Sequence, residues 1–258
     1  MNALIGDIGN TTTKICLIGI KNFKVKKITY FNSNNITSKK FLKKELKKII
    51  KNKSINKAAL FSSVVPKYHL ILRKFLKRFY NINLREIKEK TFNKIVKINI
   101  KNNNQVGSDR IANAVGVYKK YKSNCIVLDF GTATTFDVIT KNGIYNGGII
   151  APGVNLSLKS LVRSADQIPI FSIKRQKKII GKNTIEALRS GFYWGYVGLI
   201  NNIILKIEKE TKKKYKIIFT GGYADLFKKS IRRSFTVDRN ITIKGIIEIF
   251  KENKEQLK

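Results

Sequence analysis

The sequence predicts an α/β protein built from two lobes that are related by duplication. The segment LIGDIGNTTTKICLI returns later in the chain as IVLDFGTATTFDVI. Aligned on Asp7 and Asp129, both read as an apolar run, an Asp-x-Gly turn with hydroxyl side chains, and a second apolar run. In each half, strands precede a region in which strands and helices alternate, which is typical of α/β folds. We therefore predict an N-terminal lobe of residues 1–120 and a C-terminal lobe of residues 121–258.

Hydrophobic periodicity predicts the elements of the N-terminal lobe. Three strands, ALIGDI, KICLIGI and FKVKKITYF, come before SKKFLKKELKKIIKN, whose apolar residues recur at helical spacing behind a predicted N-cap, Ser38. The buried strand KAALFSSVV ends at Pro66, and a helix follows near KYHLILRKFLKRFY. The strand KIVKINI and the helix SDRIANAVGVYKKY complete this lobe.

The C-terminal lobe repeats the order of the first. The strands NCIVLDF and TFDVIT lead to GIYNGGIIAPG and then to the helical segments VNLSLKSLVRSA and TIEALRSGFYWGYVGLINNIILKIEKET. The strand KIIFTGG and closing helices follow.

The net charge of +37, from 53 basic and 16 acidic residues, allows two interpretations. Clustered cations could bind nucleic acid, or the composition could have drifted toward Lys, Ile and Asn. We favour the second, because lysine is spread along the chain, arginine is sparse, and no zinc-finger or RNA-binding signature is present. We expect no specific nucleic-acid partner and only a weak, salt-sensitive attraction to polyanions.

Cysteine usage and hydropathy indicate a cytoplasmic protein. Cys16 and Cys125 lie far apart in apolar runs, without the spacing of a metal site or a disulfide framework. No apolar run approaches the roughly 20 residues of a membrane-spanning helix, and no targeting signal is apparent. We therefore expect no membrane partner.

The repeated turn has the chemistry of a phosphate-binding hairpin. Gly9 and Gly131 have no side chain to block a polyphosphate, and the following Asn and Thr residues can donate hydrogen bonds. Asp7 and Asp129 would repel phosphates unless cations lie between them, so they fit a role as direct or water-mediated cation ligands. One such turn alone would read as an ordinary hairpin, whereas two copies favour a nucleotide site.

Six motifs extend this pattern: DIGNTTT (7–13), GSDR (107–110), DFGTATT (129–135), GGIIAPG (147–153), GKNT (181–184) and TGG (220–222). Their order resembles the superfamily of acetate and sugar kinases, heat-shock chaperone ATPases and actin. Within it, the chain resembles the type III pantothenate kinases from Asp7 to about Tyr223. The resemblance implies two actin-like (ribonuclease H-like) lobes with ATP in the cleft between them. It also implies ATP-dependent phosphorylation of the primary hydroxyl of pantothenate, which opens coenzyme A synthesis.

The resemblance also implies roles for individual residues and for cofactors. Asp109 would be the general base, Arg110 would hold the pantothenate carboxylate, and Asp129 would bind a monovalent cation, K⁺ or NH₄⁺. ATP would come with Mg²⁺. The implied ATP contacts are Asp7, Ile8, Gly9, Asn10, Thr11, Thr12, Thr13, Lys14, Thr132, Gly221 and Gly222. The implied pantothenate contacts are Ile100, Gly107, Ser108, Asp109, Arg110 and Thr184.

Structural roles are open for several of the same residues. Asp109 could be an N-cap or first-turn acid, Arg110 a surface ion-pair partner, and Thr184 a helix N-cap. Gly221 and Gly222 could form a simple strand-to-helix turn. The family usually has Tyr-x-Asn-Pro before Gly-x-Asp-Arg, whereas this chain has Ile-Lys-Asn-Asn at 100–103, which removes a hydroxyl contact and a rigid proline.

Three functions remain open at this point. The first is a pantothenate kinase, the second a non-catalytic regulatory or nucleic-acid-associated member of the fold, and the third a kinase of another small alcohol. Retention of the acidic and arginine positions favours the first.

The helix IEALRSGFYWGYVGLINNII predicts a homodimer. Its apolar residues surround much of its circumference, so it must be covered on more than one side. Burial within one subunit is the alternative. The glycines at 191, 195 and 198 would let another helix approach closely, and relatives of this type pair through this region.

Overall fold

The computed structural model describes residues 1–50, 53–165, 167–231 and 233–257. Seventeen helices and strands with their bounds are β1 Asn2–Ile8, β2 Thr12–Gly19, β3 Val25–Asn32, α1 Lys39–Ile50, β4 Ala58–Ser63, α2 Pro66–Tyr80, β5 Asn83–Glu86, β6 Lys97–Ile98, α3 Ser108–Tyr121, β7 Cys125–Phe130, β8 Ala133–Ile139, β9 Ile144–Pro152, α4 Val154–Ser164, α5 Thr184–Thr211, β10 Lys216–Gly221, β11 Phe235–Val237 and α6 Ile241–Glu252. None of the helices in the described part of the chain has the length and hydropathy of a membrane-spanning segment.

The chain forms two compact units. The first contains Met1–Tyr121, Gly143–Tyr145 and Asn240–Lys258, and the second contains Lys122–Asn142 and Asn146–Arg239. The end of the first unit's long segment lies close to the predicted boundary. The C-terminal segment differs from the prediction, because it belongs to the first unit and not to the second.

Close packing of α3 on α6 accounts for this difference. A Cβ built on Gly116 would lie 2.5 Å from the carbonyl oxygen of Ile241, and a Cβ on Gly245 would overlap the carbonyl of Ala112. Only glycine lets two helix backbones approach this closely. The Thr242 hydroxyl also donates to Asn113 Oδ1 at 2.7 Å inside the same contact.

The sheet of the first unit has the order β3-β2-β1-β4-β5. The first three strands are joined in antiparallel fashion, and β4 and β5 continue in parallel from β1. Leu4, Ile15, Phe61 and other buried side chains of this sheet pack with apolar residues of α1 and α2. Ser38 caps α1 as predicted, since Phe41 N–H donates to its Oγ at 3.3 Å. The prediction extended this helix over residues 51 and 52, which lie outside the described residues.

The sheet of the second unit repeats this order. The strand order is β11-β10-β7-β8-β9-β6. The strands β9, β8, β7, β10 and β11 correspond in sequence order and in position to β3, β2, β1, β4 and β5, and β6 has no counterpart. The strands β7 and β8 are antiparallel, and β10 and β11 continue in parallel from β7. The predicted duplication within an α/β fold is therefore confirmed.

Three short strands differ from the sequence prediction. β5 and β11 were not predicted, since each is brief and belongs to the edge of its unit's repeated order. The predicted strand KIVKINI is reduced to the two-residue β6, which pairs with Ile144 and Tyr145 in the first unit.

Candidate active site

The first hairpin places its polar residues beyond the carboxyl end of β1. Gly9 N–H donates to the carbonyl of Thr12 at 3.1 Å, which closes the turn between β1 and β2. Asn10, Thr11 and Thr12 are exposed on this turn. Ile8 and Thr13, both predicted ATP contacts, have fully buried side chains, so only their backbones could face a nucleotide.

Ser33, a residue that the sequence analysis did not single out, holds this hairpin from inside. Its buried hydroxyl donates to the carbonyl of Gly9 at 2.6 Å and lies 2.9 Å from the hydroxyl of Thr13. Its N–H donates to the carbonyl of Thr11 at 2.9 Å. The motif contains no signal for Ser33, because the residue lies at the far end of β3 and reaches the turn only through the sheet.

The second hairpin has the same design with a shorter turn. Gly131 N–H donates to the carbonyl of Ala133 at 3.0 Å, and β8 begins at that residue. Asp7 therefore faces Lys14 across its hairpin, whereas Asp129 faces Thr135, one residue nearer in sequence.

Each aspartate also has a hydroxyl residue on the neighbouring parallel strand. Ser62 of β4 is in register with Asp7, and Thr220 of β10 is in register with Asp129. Residues in register share a face of the sheet, so each carboxylate is flanked by a hydroxyl. The two units thus repeat the local chemistry as well as the strand order.

Ser108 links the start of α3 to the sheet of the first unit. Its hydroxyl donates to the carbonyl of Ser63 at 2.8 Å, and Ser63 N–H donates back to it at 2.8 Å. The hydroxyl of Ser62 also donates to it at 3.2 Å. Because Ser62 is in register with Asp7, the hydrogen bond between Ser62 and Ser108 joins the strand end that carries the phosphate hairpin to the start of α3. The predicted substrate contact at Ser108 would have to use its backbone.

Asp109 lies half-buried in the first turn of α3. Its Oδ1 accepts a hydrogen bond from Arg110 N–H at 2.8 Å. Burial raises the pKa of its carboxyl above the usual value, while the Arg110 backbone and charge and the Lys88 charge lower it. A carboxyl that is buried but still close to cations is suited to accept a proton.

The guanidinium of Arg110 lies over the ring of Tyr145, 5.8 Å from its centroid. Tyr145 is buried in the first unit and its carbonyl accepts from Asn99 N–H at 2.9 Å. Ile100, the predicted substrate contact at the usual tyrosine position, follows directly and is half-buried. The first unit therefore brings together Asp7, residues 107–110 and the segment that contains Ile100.

The surroundings of Asp129 fit a cation. Thr135 faces Asp129 on the same side of the sheet, and its hydroxyl is buried without a hydrogen-bond partner in the described part of the chain. A Cβ on Gly131 would lie 3.9 Å from Asp129 Oδ1, so the carboxylate is close to the turn. Carboxylate and hydroxyl oxygens are ligands that hard cations prefer.

Three glycines pack the remaining motifs of the second unit onto this hairpin. Gly221 has a φ of 85° and a Cβ on it would lie 2.6 Å from the backbone of Phe130. Gly222 N–H donates to the carbonyl of Phe130 at 3.0 Å. A Cβ on Gly153 would collide with the carbonyl of Thr132. The second unit therefore gathers Asp129, Thr132, Gly221 and Gly222 at one edge of its sheet.

Thr184 begins α5, but it is not the N-cap. The cap is Asn183, whose Oδ1 accepts from Glu186 N–H at 2.9 Å, so the predicted capping role of Thr184 is wrong. The physical reason is that an Asn side chain one residue earlier already satisfies the free N–H group. Thr184 is exposed and lines a groove of about 980 Å³ beside α5 in the second unit, together with Leu161, Leu188, Phe192 and Leu199.

Comparisons with known proteins identify the family. The family model described as type III pantothenate kinase matches residues 3–206. The type III pantothenate kinase of Pelagibacter ubique is 50% identical over 244 residues, which cover 95% of this chain and 96% of that protein. The enzyme of the same name from Jannaschia sp. is 41% identical over 76% of both chains.

Solved structures resemble the fold. A conserved Baf family protein from Campylobacter jejuni has a TM-score of 0.64 at 23% identity and covers 98% of this chain and 99% of its own. Component A of (R)-2-hydroxyglutaryl-CoA dehydratase from Acidaminococcus fermentans has a TM-score of 0.56 at 10% identity, with both chains fully covered. At these identities the likeness concerns the actin-like fold alone. The family match and the curated relatives go further: the chain belongs to the type III pantothenate kinase family.

Proposed function

We propose that this chain transfers the terminal phosphoryl group of ATP to the primary hydroxyl of pantothenate, the first step of coenzyme A biosynthesis. The observation that carries the proposal is the position of Asp109. This carboxyl has a raised pKa, stands beside Arg110, and is connected through Ser108 and Ser62 to the strand that ends in the phosphate hairpin. Phosphoryl transfer to an alcohol uses such a carboxylate, close to the phosphates, to accept the proton of the attacking hydroxyl.

Asp109 and Arg110 divide the work on pantothenate. Asp109 accepts the proton of the attacking hydroxyl, whose oxygen bonds to the terminal phosphorus while the bond from phosphorus to ADP breaks. Arg110 binds the substrate carboxylate through its planar fork, which is held against the Tyr145 ring. Pantothenate is then oriented by Arg110 at its carboxylate end and by Asp109 at its hydroxyl end.

The two Asp-x-Gly hairpins and the turn with Gly221 and Gly222 are the proposed ATP-binding elements. Backbone N–H groups and the exposed Asn10, Thr11 and Thr12 would bind phosphate oxygens from the first hairpin. Asp7 would bind the divalent ion that a kinase takes with ATP, such as Mg²⁺. From the second unit, Thr132 would contact ATP, and Gly221 and Gly222 would lie near the adenosine.

Asp129 and Thr135 would hold a monovalent cation, K⁺ or NH₄⁺. Such a cation supplies positive charge near the phosphates. The Thr135 hydroxyl, for which the described residues offer no hydrogen-bond partner, supports this assignment, since a bound cation would satisfy it.

A second copy of the chain is the proposed partner of α5. Tyr193, Tyr196, Val197 and Ile200 are buried inside the second unit. The opposite side of the helix carries the exposed Gly191, Gly195 and Gly198. Outside the local helix backbone, a Cβ at any of them would meet no described atom within 4 Å. An apolar groove beside a flat glycine face suits an isologous helix contact. The groove also contains Thr184, so a dimer would place a predicted substrate contact at the subunit boundary.

Cellular location and other partners complete the proposal. We propose a cytoplasmic location, which the free and buried Cys16 and Cys125 support. We also propose that no nucleic acid or membrane is a specific partner. The regulatory alternative is not favoured, because the relatives with high identity carry the kinase name.

A kinase assay with a panel of acceptors tests the function. ADP release would be followed with ATP, Mg²⁺ and K⁺ and with pantothenate, pantothenyl alcohol, other small hydroxy acids and sugars. We expect kcat/KM for pantothenate to exceed that of every other acceptor in the panel. A higher kcat/KM for another acceptor would show that this acceptor, and not pantothenate, is the preferred substrate. If no acceptor in the panel were phosphorylated, the kinase assignment would be contradicted.

A further inference from the structure

The turn after β5 is held by hydrogen bonds of its own carboxylates and carries a charge that acts on the proposed base. Glu86 Oε2 accepts from Lys88 N–H at 2.7 Å, and Glu86 N–H donates to Glu89 Oε1 at 2.9 Å. Glu89 in turn pairs with Arg85. Carboxylates thus fix both the backbone and the direction of the turn, and Lys88 leaves it from a defined position.

The ammonium group of Lys88 binds the loop that precedes Asp109. Its Nζ donates to the carbonyl of Asn104 at 3.0 Å and to the carbonyl of Val106 at 2.8 Å. Asn102 Oδ1 accepts from Asn104 N–H at 3.1 Å and starts a short 3₁₀ turn between the two. Two charge-assisted hydrogen bonds from one lysine therefore join the turn after β5 to this loop.

This loop is the segment in which the chain lacks the family's usual proline. Proline restricts the backbone before folding, so its loss leaves the loop to be ordered by other contacts. Lys88 supplies such contacts on the loop's carbonyl groups, at one and three residues before Gly107. The loop can then present residues 107–110 in one arrangement.

The charge of Lys88 also acts on the carboxyls around it. It lowers the pKa of Asp109, together with Arg110, against the effect of burial. Burial also raises the pKa of Glu86, and the Lys88 backbone N–H, Ser108, the Lys88 charge and Ser63 oppose that rise. The charges that lower the pKa of Asp109 are thus those of Arg110 on α3 and Lys88 on the turn after β5, and Glu86 is the acidic group that contacts Ser108 beside it.

We infer that Lys88 is a positioning residue of this kinase, which holds the loop of residues 102–106 so that Asp109 and Arg110 meet the acceptor. The inference rests on the proposed function for its catalytic consequence. The contact itself is a property of the loop and can be measured without any acceptor.

The test uses Lys88→Met, which keeps most of the stem and removes the ammonium, with Lys88→Arg as the conservative variant. Lys90→Met is the matched control, because Lys90 is exposed in the same region and no hydrogen bond to the loop is found for it among the described residues. Hydrogen exchange of residues 102–107 is measured first, without substrate. We expect faster exchange in Lys88→Met only.

Kinetics are measured on the same proteins. We expect Lys88→Met to raise KM for pantothenate about tenfold, as for loss of a charge-assisted contact, with KM for ATP unchanged. Loss of the positive charge raises the pKa of Asp109, so the acid limb of kcat/KM should move to higher pH. Lys88→Arg should restore all three properties in large part.

The inference would be overturned if Lys88→Met showed the same hydrogen exchange, the same KM for pantothenate and the same pH profile as Lys90→Met. It would also be overturned if Lys88→Met raised KM equally for ATP and for pantothenate. If the wild-type enzyme phosphorylates no acceptor, the proposed function fails, while the exchange result still decides whether Lys88 orders the loop.

Discussion

The guanidinium carbon of Arg110 lies 5.8 Å from the centre of the Tyr145 ring, and Tyr145 is 2% exposed. A buried aromatic face holds a cation in place through both its shape and its negative π-surface. Arg110 stands next to Asp109, so the ring also fixes the distance between the proposed carboxylate-binding group and the proposed base.

Arg110→Lys should therefore keep the charge but lose the fork and the ring contact. We expect KM for pantothenate to rise roughly 10- to 100-fold, the value of one to two charge-assisted hydrogen bonds. Pantothenyl alcohol, which lacks the carboxylate, serves as the control substrate, and its KM should not change. An equal effect on both substrates in steady-state assays would remove Arg110 from carboxylate binding.

Ser33→Ala should weaken ATP binding. The variant leaves the carbonyl of Gly9 and the hydroxyl of Thr13 without their buried partner, which costs about 1–3 kcal/mol of stability and loosens the hairpin. Thr37→Ala is the control, because the bond found for its hydroxyl among the described residues stays within the same short turn, to the carbonyl of Asn34. We expect KM for ATP to rise several-fold for Ser33→Ala and to stay near the wild-type value for Thr37→Ala. Equal nucleotide affinities in the two variants would show that Ser33 has no role in the hairpin.

The contrast between Ser33 and Asp109 shows what the sequence could predict. Asp109 stands in the local motif GSDR, so the resemblance to the family was enough to propose its role. Ser33 and Lys88 act across the fold, Ser33 from the end of β3 and Lys88 from a turn after an unpredicted strand. Their contacts depend on strand pairing, and no local pattern encodes that.

The domain organisation shows the same limit. The repeated Asp-x-Gly pattern predicted the duplicated sheets, whose strand orders agree. The return of α6 to the first unit was missed, because it depends on the close approach of Gly116 and Gly245 rather than on position along the chain.

Cation dependence tests Asp129 and Thr135. Thr135→Val keeps the shape of the side chain and removes its hydroxyl, so we expect the potassium concentration for half-maximal activity to rise several-fold. Asp129→Ala should be inactive at any potassium level. Activity titrated with K⁺, NH₄⁺ and Na⁺ gives the measurement, and equal wild-type rates in Na⁺ and K⁺ buffers would contradict the assignment.

Assembly can be tested through the exposed glycine face of α5. Gly195→Glu places a charge where a Cβ meets no described atom outside its own helix turn within 4 Å, so it should spare the fold and separate the dimer. Gln256→Glu adds the same charge at an exposed position of the first unit and should leave the dimer intact. Sedimentation and pantothenate binding should change together in Gly195→Glu. A wild-type protein that sediments as a fully active monomer would refute the pairing.

Asp109→Asn should fold and gain stability near neutral pH. A carboxyl whose pKa is raised in the folded state stabilises the fold only while it is protonated, and ionisation costs free energy as the pH rises from the unfolded toward the folded pKa. The asparagine avoids that cost. Thermal unfolding should therefore show a higher Tm for Asp109→Asn at pH 7, with the difference shrinking as the pH falls toward 4. A lower Tm at pH 7 would show that the carboxylate has a structural role.

The role of Asp109 in phosphoryl transfer is tested most directly by comparing Asp109→Asn with the wild type. Transfer is measured at saturating ATP, Mg²⁺, K⁺ and pantothenate, and the product is identified by its mass and its phosphorus resonance. We expect the wild type to form 4'-phosphopantothenate with one ADP released per product. Asp109→Asn should bind ATP normally but turn over roughly 10²- to 10⁴-fold more slowly. Near-normal turnover by Asp109→Asn, or ADP release by the wild type without phosphorylated pantothenate, would contradict the central claim.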